Sequence, residues 1–235
     1  MMEADIALAL ALGFTTGLRH ALDPDHLVAV STIVSEHKSI TRSSLVGTFW
    51  GVGHTASLFA VGVVVIILRT SIPPGVAHWL EVPVGVMLIA LGLNTTWRAL
   101  RDRGVKLHTH VHSHDDGSPH SHIHIHHGEQ HDHRHRMFKI GRRPFLVGLV
   151  HGVAGSAVIT VFALVTLPSA ALGLAYITVF GIGSIGGMLL MSAAISLPFA
   201  MTARRFTGIN AGVRLAAGLF SISFGAWKLF LDVSA

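Results

Sequence analysis

Two imidazoles and two carboxylates stand within seven residues, His20-Ala21-Leu22-Asp23-Pro24-Asp25-His26, inside a long apolar stretch at 6–34. Ionisable groups at the centre of a hydrophobic segment cost a few kcal/mol or more each, so they mark a pathway or a bound ion. On a continuous helix His20, Asp23 and His26 lie three apart on one face, and Asp25 points away. Pro24 disturbs that helix, because it lacks an N–H and its ring meets the carbonyl of His20. Asp23 is pushed out of the helical region by the same proline. The expectation is a break at this point, with free carbonyls beside the side chains. Broken backbone at membrane depth is tolerated only when buried in protein or lining a cavity. Imidazole nitrogens, carboxylates and carbonyls together suit a borderline divalent ion such as nickel, cobalt or zinc. Pure helix packing explains a single membrane His or Asp, but explains four such groups around a proline poorly.

His54 is a second candidate, in mid-span among Gly51, Gly53, Thr55 and Ser57. It is read as a ligand at the depth of His20 and His26, against a histidine that only bonds across a helix contact. For His151, flanked by Gly152, Ala154, Gly155 and Ser156, ligand and tight-crossing readings both stand.

The elements that must position these groups are membrane helices. The chain has 235 residues, of which 51 % are apolar and 12 % charged, with a mean hydropathy of +0.60. That composition implies a polytopic membrane protein and excludes an ordinary soluble domain. Cysteine is absent, so a metal must be held by imidazole, carboxylate, backbone or water. The acidic start Met1-Met2-Glu3-Ala4-Asp5 argues against a cleaved signal peptide. Six spans are expected, at about 6–34, 44–68, 76–100, 144–167, 172–200 and 211–231, giving an all-α fold. Basic residues gather on the odd connections, which puts these in the cytoplasm and both termini outside. The high pI thus reflects orientation in a bilayer, and no nucleic-acid partner is expected. Nothing resembles a phosphate-binding glycine loop, so ATP coupling within the chain is not expected.

An internal echo divides the chain. Phe14, Gly17, Leu18 and His20 recur as Phe145, Gly148, Leu149 and His151, offset by 131, and Phe49 maps to Phe180. Trp97-Arg98 with Asp102 recurs as Trp227-Lys228 with Asp232, offset by 130. Two three-span repeats, at 1–100 and 144–235, must be inverted relative to each other, as in many secondary transporters. The second copy lacks the Asp-Pro-Asp-His, so one metal site is expected, built mainly by the first half.

Between the repeats, 101–143 is a histidine-rich connection. It carries His108, His110, His112, His114, His120, His122, His124, His126, His127, His131, His133 and His135. Such a tract is a compositional metal binder, expected to be disordered and to offer weak, exchangeable sites of no single geometry.

The run from Arg19 to His26 resembles the His-x4-Asp-His signature of the nickel/cobalt transporter family, which falls here on His20, Asp25 and His26. Phe49-Trp50-Gly51-Val52-Gly53-His54-Thr55 resembles the family's second motif. Where later family motifs carry aspartates, this chain has the segment 148–156 and Ser192. The resemblance implies a permease of the cytoplasmic membrane that moves Ni(2+) or Co(2+), with uptake taken over efflux. It implies no prosthetic group; metallochaperones or metalloenzyme maturation proteins would be cytoplasmic partners. Asp23 is read as a further ligand or proton carrier. Two other classes remain in view. An intramembrane metalloenzyme could activate water at the cluster, and a membrane-anchored store or sensor could act through the histidine loop.

Overall fold

The computed structural model describes residues 2–37, 39–68, 72–101, 108–113, 119–124, 141–154, 167–205 and 207–234. The elements run α1 (Met2–His20), α2 (Pro24–Val34), α3 (Ile40–Leu68), α4 (Pro74–Arg101), β1 (His108–Ser113) and β2 (Pro119–His124). They continue with α5 (141–154), α6 (Ala170–Arg205) and α7 (Thr207–Ser234).

The expected break is present. α1 ends at His20 and α2 begins at Pro24, which occupies the first turn, where its missing N–H costs nothing. Asp23 sits at the boundary with φ −59° and ψ 141°, the extended backbone a following proline imposes. The break resets the helical phase, so Asp25 is not turned away from the histidines as a continuous helix would require.

Among the described residues four helices are long and apolar enough to cross a membrane: Ile40–Ile66, Gly75–Arg101, Ala170–Thr202 and Ile209–Ser234. Four of the six expected spans thus have a matching helix among the described residues. The first is split by its proline into α1 and α2, and the fourth lies partly outside the described residues. Leu68, Trp97, Leu190, Met201 and Phe230 are exposed around the helices. Such an apolar exterior is a liability in water and a match for hydrocarbon.

The described elements are helical apart from one short hairpin in the 101–143 connection. β1 and β2 pair antiparallel, with His108 opposite His124, His110 opposite His122 and His112 opposite His120. Alternating Thr109, Val111 and Ile123 favour extended chain and supply the period-two pattern a hairpin needs. His114, His126, His127, His131, His133 and His135 lie outside the described residues.

Trp50, Leu88, Val30, Val34 and Met188 form the centre of the core. Glycine lets the helices touch backbone to backbone. A side chain at Gly17 would strike the Phe180 carbonyl, and one at Gly148 the Trp50 carbonyl. A side chain at Gly183 would strike the carbonyl of Phe14, and one at Gly53 that of Phe145. So α1 crosses α6 by the same contacts with which α5 crosses α3. These contacts pair Phe180 with Trp50, one residue on from the Phe49 that the sequence echo selected. α4 and α7 run antiparallel, since Gly92 meets Gly218 and Gly85 meets Gly225.

Candidate metal centre

The chain break, α3 and α5 deliver four histidines to one place. His20 comes from the last residue of α1, His26 from the first turn of α2, His54 from the middle of α3 and His151 from α5. His26, His54 and His151 are almost wholly buried. Ring centroids are 4.6 Å apart for His20 and His26, 5.2 Å for His26 and His54, and 4.0 Å for His26 and His151. Trp50 stacks on His26 at 5.5 Å and 15°, closing one side with an apolar plane.

The aspartates hold the rings from behind. Asp23 Oδ2 lies 2.7 Å from His20 Nδ1. Asp25 Oδ1 accepts the backbone N–H of His26 at 2.9 Å and lies 3.1 Å from the same residue's Nδ1. Asp25 Oδ2 lies 3.0 Å from His151 Nε2. A carboxylate only accepts, so each facing ring nitrogen carries the proton and the opposite nitrogen keeps its lone pair. Carboxylates set behind metal-binding imidazoles orient the ring and raise its basicity in this manner.

The freed Nε2 of His20 then accepts from Nε2–H of His54, 3.2 Å away. His26 Nε2 is buried with no hydrogen-bond partner, as are His54 Nδ1 and His151 Nδ1. A buried, unmatched acceptor costs about 1–3 kcal/mol, and a ligand removes that cost. Donor atoms of His20, His26 and His54 lie within 4.8 Å of one another, and so do those of Asp25, His26 and His151. An ion with metal–nitrogen bonds of about 2.1 Å would draw the donor atoms of either group closer together. The two groups share His26. All six of the sequence-derived residues thus meet in one cluster, with Asp23 and Asp25 behind the rings.

A cavity of about 510 Å³ reaches the cluster and is lined by His20, Asp23, Asp25, His26, His151 and Phe180, with Thr16, Arg19 and Glu81. Glu81 on α4 was not singled out from the sequence, nor was its partner Lys228 on α7, 2.7 Å away. The signal was present, since each is a charge within an otherwise apolar span.

Buried imidazoles and carboxylates at a helix break, inside an apolar bundle, define a membrane protein with side chains that could hold a divalent metal. The chain belongs to the NicO family of high-affinity nickel-transport proteins, whose family model matches residues 6–224. It is similar to the urease accessory protein UreH of Bacillus sp. (strain TB-90), 35 % identical over 235 residues, covering 98 % of this chain and 94 % of that protein. It is 27 % identical to the chloroplast protein FOR GROWTH AND FERTILITY 1 of Arabidopsis thaliana over 75 % of this chain and 46 % of that one. A Methanocaldococcus jannaschii protein, provisionally named a nickel/cobalt efflux system, is 34 % identical over 34 % of this chain and 39 % of its own. No solved structure matches the chain. The family is one of nickel transporters, which sets aside the intramembrane enzyme; its substrate is nickel.

Proposed function

We propose that the chain is a nickel permease whose ion is held by His20, His26 and His54 and handed on by way of Asp25 and His151. The observation that carries this is His26, a member of both donor groups, whose buried Nε2 has no hydrogen-bond partner. Nickel would replace the contact between His20 and His54, and the displaced proton would move to the unpartnered Nδ1 of His54. Only neutral imidazoles bind, so protons compete with the ion. Cobalt has nearly the same ligand preferences, and the likeness to a nickel/cobalt efflux system supports it as a second substrate.

Two inverted repeats of three spans, 1–100 and 144–235, would rock about this site. The equivalent crossings of α1 on α6 and α5 on α3 support that reading, as does the placement of substrate sites at repeat interfaces. The distribution of basic residues supports external termini and a cytoplasmic 101–143 connection in the cell membrane. That connection would collect metal through its many histidines. Uptake toward cytoplasmic metallochaperones or maturation proteins is supported by the likeness to a urease accessory protein.

The test is a time course of nickel and cobalt accumulation in cells carrying the protein, an empty vector, or a form without residues 108–135. Uptake predicts faster accumulation than in the control, and efflux predicts slower accumulation. The shortened form should respond at a shifted metal concentration and still transport; complete loss would make the loop part of the path.

A further inference from the structure

The cavity is also lined by two charged residues that the histidine cluster does not use, Arg19 and Glu81. Glu81 lines it together with Asp23, Arg19 and His26. Among the described residues the ion-pair partner of Glu81 is Lys228, whose Nζ lies 2.7 Å from Oε2. Lys228 also has Asp232 Oδ2 at 3.6 Å, one turn further along α7. The ammonium can therefore leave Glu81 without standing unpaired, which in a low-dielectric setting would be costly.

The opposite end of α4 shows what a fixed pair looks like. Seventeen residues beyond Glu81, roughly 25 Å along the helix, Arg98 Nη1 lies 3.0 Å from Glu36 Oε2. Arg143 adds a contact at 3.6 Å, and Asn94 donates to Oε1 at 2.9 Å. Arg98 and Lys228 are the residues related by the internal offset of 130. The equivalent cation is thus pinned through a carboxylate with three donors at one end, and at the cavity end is shared between two carboxylates. Glu81 keeps 34 % of its side chain exposed against 14 % for Glu36, so an ion in the cavity can reach it.

We propose that Glu81 is a divalent-cation ligand at the cavity mouth, covered by Lys228 at rest. The arriving ion takes the Glu81 carboxylate, Lys228 moves to Asp232, and the ion passes inward to the unpaired Nε2 of His26. This deepens the permease reading and rests on it. A carboxylate here concentrates dications, and the ammonium makes weakly attracted monovalent ions poor competitors for it.

The test compares Glu81→Gln, Lys228→Gln and the double variant, each purified as the full chain and reconstituted in liposomes. Initial nickel flux is measured against nickel concentration. Glu81→Gln should raise the half-saturating concentration about tenfold while keeping the maximal rate. Lys228→Gln should lower that concentration, and the double variant should follow Glu81→Gln. Glu81→Asp, which keeps the charge, should fall between wild type and Glu81→Gln. A merely structural pair would behave otherwise: both single variants would lower the maximal rate, and the double would be no worse than either, which overturns the proposal. An unchanged half-saturating concentration in Glu81→Gln also overturns it, and leaves the histidine site standing. Flux that survives His20→Ala overturns the histidine site instead.

Discussion

His20 and His151 occupy the same position in the two halves of the chain, yet their surroundings differ. His20 ends a helix and is followed by the Asp-Pro-Asp-His break, which brings Asp23, Asp25 and His26 around it. His151 is followed by Gly152, over which the His54 carbonyl of α3 lies so closely that a side chain could not fit. The surrounding packing is nevertheless alike in the halves: Gly17 on Phe180 corresponds to Gly148 on Trp50. The glycine crossings thus match between the halves, while four of the six clustered side chains belong to the chain around the Asp-Pro-Asp-His break or next to it in the first half. A broken helix can present ring nitrogens from both sides of the break to one point. From the described part of α5 a single imidazole, His151, reaches Asp25 across the bundle.

The asymmetry is most directly broken at His26, which belongs to both donor groups. His26→Ala should abolish nickel flux while the protein still inserts, read as initial rate per amount of membrane-inserted protein. Flux within twofold of wild type would move the ion path away from the break.

Next in size come the aspartates. Asp25→Asn leaves His26 and His151 without their shared carboxylate and should weaken nickel binding by about 10- to 100-fold. Asp23→Asn should cost less, because 49 % of that side chain is exposed and water can take its place behind His20. Binding isotherms on purified protein rank the two; the reverse order would make Asp23 the ligand and Asp25 structural.

The smallest effects concern the symmetric part. Gly17→Ala and Gly148→Ala each force a methyl against a backbone carbonyl and should destabilise the bundle alike, by about 1–3 kcal/mol. Gly75→Ala, with nothing within 4 Å, is the control. Thermal unfolding in detergent should show equal downward shifts for the first two and none for the third. Unequal shifts would show that the halves differ in packing as well as in chemistry.

Residue types and local spacing were sufficient for the membrane character, for the break at Pro24 and for His20, His26 and His54, because each rests on the solvent preference of a side chain or the geometry of a neighbour in the chain. A proline acts on the residue before it and the carbonyl four back, so its effect is legible locally. The resemblance placed Asp25 in the site, but its position behind the rings was not legible. Its phase relative to His20 restarts at the break, and its second partner, His151, is 126 residues away. The same holds for Glu81 and Lys228, 147 residues apart, whose meeting depends on α4 and α7 running antiparallel. Local rules could mark a buried charge as costly, but only the packed helices decide which opposite charge or lone pair stands within 3 Å of it, because that distance is set by backbone crossings at glycines far along the chain.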